Sequence, residues 1–460
     1  MTVFPTKLLQ FTIAAATLLA TVRSDAVAKG NVITLEEAYD RTLSSDQSIQ
    51  IAWLEIRKAV LLPLSALATK LGPNITGSLG YDGTGTTSRL TGIIPNRSTF
   101  TGTNVRSFGL SYTQTLMDFS VFPAFRLGKL TEKSTKLQYT FLVRQTLFGV
   151  ASAYYDVLKQ QAIVAINKQT VDLAAEQYDQ AKKRFDVGQA ARTDELRAEA
   201  TLEDARHTYI GSQATLAISR NTFANILNLG GDTGFELREP SPFTLTREGF
   251  DAALSQAYGR REDYAVSVIA IKQDIERRNE VKAQYAPKLV ADLTQTWSGY
   301  NGANHDTSEW ETTVALQIPI FTGGQREIDM RTTQYQIDET RLNHDKLTKS
   351  IQQEVKNAWL VTRTLEETIK ALRAEVKAAE QNYKDLDTQY KVGAATSLDV
   401  QSALRDLNNS RTTLAAELYD DQVALRDLER SEAAFQTLRV TQATERFATT
   451  TSIFSKDKRR

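Results

Sequence analysis

From Ile351 to Tyr390 the chain carries an unbroken helical seam. Its members are Ile351, Val355, Ala358, Thr362, Leu365, Ile369, Leu372, Val376, Ala379, Tyr383, Leu386 and Tyr390, spaced alternately four and three apart, and only Thr362 is polar. That spacing keeps one stripe of a helix against a partner helix over many turns. Extended over about 326 to 392, the helix would be on the order of 100 Å long at roughly 1.5 Å per residue. No compact globular domain needs such an element, so the chain is expected to be elongated.

The seam occurs twice. Gly393 aligns with Gly188 at an offset of 205, and the offset holds without gaps for Tyr178 with Tyr383, Val187 with Val392, Asp194 with Asp399, Leu202 with Leu407 and Arg206 with Arg411. Carried back by the same offset, the seam becomes Thr146, Val150, Ala153, Val157, Gln160, Val164, Asn167, Val171, Ala174, Tyr178, Ala181 and Phe185. The openings of the two copies also match: Thr34–Ala59 and Gly249–Asp274 both read as a short helix, a break and a longer helix, followed by a proline, Pro73 or Pro287, that stops the helical pattern. The expected organisation is a first repeat over 29–230, a second over 231–430, and a polar C-terminal tail over 431–460. The basic end Lys456–Arg460 reads as a solvated tail.

Beyond each proline the period changes to two. Strands are expected at about 74–82, 105–116, 288–298 and 311–321. One face carries Ile75, Leu79, Tyr81, Phe108, Leu110, Tyr112, Leu289, Leu293, Trp297, Val314, Leu316 and Ile318; the other is mostly Asn, Thr, Ser, Gly, Asp and Gln. Such a face is buried on a core or turned to lipid. Four strands cannot enclose a useful lumen, but an oligomer could pool them. The Gly/Ser/Thr-rich stretches between paired strands read as exposed loops. Gly323-Gly324 reads as a tight strand-to-helix turn.

The composition narrows the function. Lys+Arg and Asp+Glu are 55 each, which argues against nucleic acid as a partner. There are no cysteines, so no disulfide, thiolate metal site or lipidated Cys can form. His207, His305 and His344 lack ligand spacing, and no nucleophile–base pattern is visible, so neither an enzyme nor a cofactor or metal is expected. Lys7, the apolar run that follows and Ala26-Val27-Ala28 form a signal-peptide pattern, expected to be cut after Ala28. No later stretch resembles a transmembrane helix, so a membrane form of the mature chain would have to be a β-barrel.

At both Val-Gly breaks the glycine suits a helix C-terminus, and the chain is expected to restart after Thr193 in one copy and after Thr396 or Ser397 in the other. "RFDVGQAARTD" and "QYKVGAATSLD", set in this duplicated order of strands and long helices, resemble the TolC family of trimeric outer-membrane efflux channels over about residues 30–430. The resemblance implies an α+β membrane channel: long antiparallel helices forming a coiled-coil barrel in the periplasm, and four strands per protomer entering a twelve-stranded β-barrel shared by a homotrimer. It implies a passive exit duct for efflux or type I secretion in the outer membrane of a Gram-negative bacterium, surrounded by outer-membrane lipid and served by an inner-membrane pump and a periplasmic adaptor.

Val187, Gly188, Val392 and Gly393 match the family's tip motif, which implies adaptor docking. Asp194, Tyr390 and Asp399 match gate positions. Asp194 and Asp399 also suit stabilisation of a helix start. The chain departs from the pattern at Ala395, where the best-known member has Arg, and at Ser402, where it has a second lumen-facing Asp; Arg192 is the substitute cation considered for the gate. The competing class is a soluble periplasmic coiled-coil scaffold, which accounts for the helices but not for the alternating strands.

Overall fold

The computed structural model describes residues 32–89, 98–243, 249–300 and 306–443. The signal-peptide pattern, His305 and the basic end of the tail lie outside them. The order is β1 (Val32–Ile33), α1 (Leu35–Ser45), α2 (Gln47–Leu71), β2 (Pro73–Arg89), β3 (Ser98–Met117), α3 (Val121–Asp186), α4 (Arg192–Ile226), β4 (Glu236–Leu237), α5 (Phe250–Arg260), α6 (Glu262–Ala283), β5 (Lys288–Tyr300), β6 (Asp306–Gln317), α7 (Gln325–Lys391) and α8 (Ser397–Ser431). A shift of 205 residues carries the end of α3 onto the end of α7, and both ends of α4 onto those of α8. Each half opens with an 11-residue helix followed by a longer one.

The heptad seams explain α3 and α7, of 66 and 67 residues. Every seam position in both is buried or half-buried. Even the polar Thr362 is fully enclosed, with its hydroxyl donating to the Trp359 carbonyl, so its polar group is satisfied within the helix. Ala174, Leu202, Tyr383, Val400, Leu404 and Leu407 join α3, α4, α7 and α8 into one cluster toward the ends of the helices far from the sheet. A larger cluster lies midway, where Tyr39, Leu147, Tyr154, Phe223 and Phe435 meet.

The strands β2, β3, β5 and β6 form one antiparallel sheet in that order. The helices at its lower end repeat the order: α2 packs on α3, α3 on α6 and α6 on α7. β2 follows α2 and β6 leads into α7, so α2–β2 forms one edge of the protomer and β6–α7 the other. No helix among the described residues is long and apolar enough to cross a membrane.

Three expectations need correction. The stretches 83–89 and 98–104, expected as loop, pair residue by residue as the outer half of the β2–β3 hairpin. Pairing requires backbone groups alone, so a Gly/Thr run without apolar alternation can still form a ladder. The last strand, expected at 311–321, is β6 (Asp306–Gln317). It stops where its partner β5 begins after Pro287, and Pro319 has no N–H with which to extend it. The expected polar tail does not begin at 431: Phe435, Val440 and Ala443 are buried in the central cluster, and 437–443 is helical.

Candidate functional site

The two tips are built alike. At the end of α3, Gly188 N–H donates to the Phe185 carbonyl at 2.9 Å and Gln189 N–H to the Arg184 carbonyl at 2.7 Å, with Gly188 at φ +73°. At the end of α7, Gly393 N–H donates to Tyr390 O at 3.0 Å and Ala394 N–H to Gln389 O at 2.8 Å, with Gly393 at φ +79°. Both are Schellman turns, which satisfy orphan carbonyls and need a residue that enters the left-handed region cheaply. Val187 and Val392, immediately before the glycines, are 68% and 76% exposed. Each tip therefore shows solvent an apolar knob on a rigid turn.

The restarts differ. α8 has Thr396 as its N-cap in a capping box: Thr396 Oγ1 accepts from Asp399 N–H at 3.3 Å, and Thr396 N–H donates to Asp399 Oδ2 at 3.0 Å. Hydrogen bonds from the Thr396 hydroxyl and backbone hold the exposed Asp399 carboxyl below the usual carboxylate range. α4 starts earlier than expected. Its N-cap is Ala191, which has no side-chain acceptor, and Thr193 lies inside the helix. Alanine stands where the second copy has threonine, so nothing fixes the start further along.

Thr396→Ala is expected to cost about 1 kcal/mol at this tip, read as faster amide exchange over 397–400 with little change elsewhere. The ionised Asp399 makes the box, so its contribution is present at neutral pH and lost as pH falls through its lowered value; the local protection should fall with it.

The candidate gate residues are placed as follows. Asp194 is half-buried in the first turn of α4, and Asp399 is exposed in the first turn of α8. Arg192 pairs with Glu195 of its own helix at 3.0 Å and lies over the Phe185 ring at 5.4 Å. Tyr390 is buried, and its hydroxyl has no hydrogen-bond partner among the described residues. What joins the two tips is Arg184: its Nη1 donates to the Tyr390 carbonyl at 2.6 Å, and its guanidinium lies over the Tyr390 ring at 4.9 Å. Gln177 adds a second bridge, donating to Asp387 at 2.6 Å. Neither Arg184 nor Gln177 stands out in the sequence, although Arg184 is in the quoted tip motif and its repeat mate is Gln389. His344 Nδ1 lies 2.8 Å from Ser267 Oγ, whose hydroxyl is also 2.7 Å from the Tyr264 carbonyl of its own helix. No cluster of three or more His, Asp or Glu suited to a metal occurs among the described residues.

The sheet provides the other surface. Residues alternate across the ladder so that Leu79, Phe108 and Trp297 stand in one row and Tyr112 and Leu293 in another, all on one face. This face is uncovered: Leu79 is 87% and Trp310 70% exposed. The opposite face holds Ser78, Ser107, Ser111, Thr113, Asp292 and Thr294, with Thr113 donating to Asp292 at 2.7 Å.

An open-edged sheet with one bare apolar face, continued by a helical row that ends in two hairpin tips, defines the subunit of a duct-like membrane protein. The family model described as outer membrane efflux protein matches residues 38–229 and 253–433, and the chain belongs to that family. One matched segment covers most of the first half of the chain and the other most of the second half, the second ending at residue 433.

It is 26% identical over 263 residues to the outer membrane efflux protein BepC of Brucella suis, covering 56% of each chain. It is 25% identical over 239 residues to the outer membrane protein TolC of Vibrio cholerae, covering 47% of this chain and 51% of that one. The chain thus spans about half the length of the curated relatives it matches. Its fold is similar to that of the Campylobacter jejuni CmeC outer membrane channel, with a TM-score of 0.72, 16% identity and 89% of both chains covered. The protein is an outer-membrane protein of a Gram-negative bacterium.

Proposed function

We propose that three copies close into a passive exit duct across the outer membrane, fed by an inner-membrane pump through a periplasmic adaptor that docks on the tips. The observation that carries this reading is the pair of open edges. Among the described residues, β2 lacks an outer partner at one edge, where α2 exposes Leu54, Leu61 and Leu67, and β6 lacks one at the other, where α7 exposes Ile328, Tyr335 and Leu342. An edge that differs from its counterpart is satisfied by a second copy placed head to tail, and such contacts close into rings. Three copies supply twelve strands with the apolar face outward and the polar face around a wet lumen. A soluble scaffold would instead leave Leu79, Trp310, Val314 and their neighbours in water.

Val187, Gly188, Val392 and Gly393 are the adaptor-docking positions on this reading, and Val187 and Val392 supply the exposed apolar contacts. The gate forms around the tips: Asp399 and Asp194 stand at the two helix starts, Arg192 is held locally by Glu195, and Tyr390 is clamped by Arg184. Planar bilayers provide the test. A folded oligomer that never conducts would overturn the reading. If it conducts, Arg184→Ala should raise single-channel conductance by freeing one tip from the other, and Asp399→Ala should weaken block by multivalent cations.

A further inference from the structure

Arg106 is a charged residue on the sheet's apolar face. It shares the alternation of Phe108, Leu110 and Tyr112 on β3, opposite Tyr81 of β2 and Gly299 of β5. Its side chain is exposed, and among the described residues no carboxylate pairs with it. Gly299 puts no side chain beside it, and a groove of about 580 Å³ opens there, lined by Leu79, Tyr81, Arg106, Phe108, Trp297 and Ser308. The rings of Phe108 and Trp297 stack at 5.1 Å along the groove.

The height of this groove is informative. Within β3 (Ser98–Met117), the stretch that concerns this groove reaches from Met117, beside the helices, to Arg106. At about 3.3 Å per residue and a tilt of about 45°, that stretch rises about 25 Å, the height of an outer-membrane apolar band. The helices leave from the Met117 end, so Arg106 lies at the opposite boundary, level with the outer headgroups. Aromatic rings favour that boundary, and a guanidinium there faces anionic headgroups rather than acyl chains. Its planar fork matches a phosphate in a bidentate manner.

We propose that Arg106, Tyr81 and the Phe108–Trp297 pair bind a phosphate-bearing lipid of the outer leaflet. The phosphate is held by Arg106 and the Tyr81 hydroxyl, and an acyl chain lies along the stacked rings. The site rests on the reading above that the apolar face is turned to lipid.

The test uses the full chain, reconstituted in vesicles with bisphosphorylated lipid A or its dephosphorylated form and then re-extracted in detergent. Lipid retained per protomer is measured. The wild type should keep the phosphorylated lipid; Arg106→Ala should lose it several-fold, Arg106→Lys should be intermediate, and the dephosphorylated lipid should be retained no better than by Arg106→Ala. Circular dichroism checks that the variants fold, as expected for an exposed position. Equal retention by wild type and Arg106→Ala overturns the site, as does displacement of the lipid by inorganic phosphate alone, which would mark a simple anion site. Quenching of indole fluorescence by brominated acyl chains, reduced in Trp297→Phe, separately checks the lipid-facing reading. No quenching in the wild type overturns that reading, whereas quenching without Arg106-dependent retention overturns only the site.

Discussion

Leu61→Glu is expected to leave the protomer folded and abolish its assembly in detergent. Leu61 is 59% exposed on α2, and Tyr335 is 72% exposed on α7. Counted from the sheet ends of their helices, Leu71 and Gln325, each lies ten residues in. Leu54 corresponds to Leu342 in the same way, so two heptad-spaced seams of matching length run antiparallel on opposite edges of one protomer. Within a single chain the substitution touches solvent and should change stability by no more than about 0.5 kcal/mol. At the ring interface it places a carboxylate among apolar side chains without a partner, a cost of several kcal/mol, and the lesion recurs at every interface of the ring. Sedimentation of the folded variant in detergent should show monomer where the wild type shows trimer. Tyr335→Arg added to Leu61→Glu should restore part of the assembly by pairing the charges. An assembled Leu61→Glu single variant would show that the edges meet elsewhere.

The seams were legible in the sequence because coiled-coil packing is periodic and local. Twelve positions in each copy repeat at the helical period, and burial follows them even at Asn167 and Thr362. The tips were legible for a similar reason: a left-handed turn after a long helix favours glycine, and Val-Gly occurs at both. The choice of cap was less accessible. Thr193 and Thr396 look equally suited as caps, yet only Thr396 caps, because its own helix begins one residue later and an aspartate stands three residues on. The outer half of the β2–β3 hairpin was hidden because its ladder rests on backbone bonds of Gly and Thr, which carry no alternation to read. The C-terminal segment was hidden because its burial depends on few residues: Phe435, Val440 and Ala443 reach the central cluster from a stretch in which Gln, Thr and Arg break up any long apolar period.

Long-range contacts of charged side chains are the least legible class, because nothing local marks them. Arg184 meets Tyr390 across 206 positions, and Arg439 of the C-terminal segment pairs with Glu36 and Asp40 of α1. Only the fold brings such partners together, so the family resemblance could single out Tyr390 as a gate candidate without naming the guanidinium that lies over it.

The most enclosed of these pairs carries the largest expected stability effect. Arg144 on α3 and Glu262 at the start of α6 lie 2.6 Å apart, with side chains only 5% and 8% exposed. Arg144 also donates to the Phe435 carbonyl at 2.5 Å, so one guanidinium joins α3, α6 and the C-terminal segment. Glu262→Ala leaves this cation buried with a single neutral acceptor, and the expected loss is about 3–5 kcal/mol. Replacing both partners, Arg144→Met with Glu262→Leu, removes the charge and its desolvation together, and should cost far less than the single change or nothing at all. By contrast, the exposed Lys58–Glu55 pair on α2 should be worth under about 0.5 kcal/mol. Urea unfolding of Glu262→Ala, of the Arg144→Met/Glu262→Leu double variant and of Glu55→Ala provides the comparison, with amide exchange over 432–443 as the local readout. A single variant no less stable than the double would mean that water reaches Arg144, and that apolar packing around Phe435 rather than the ion pair holds the C-terminal segment in place.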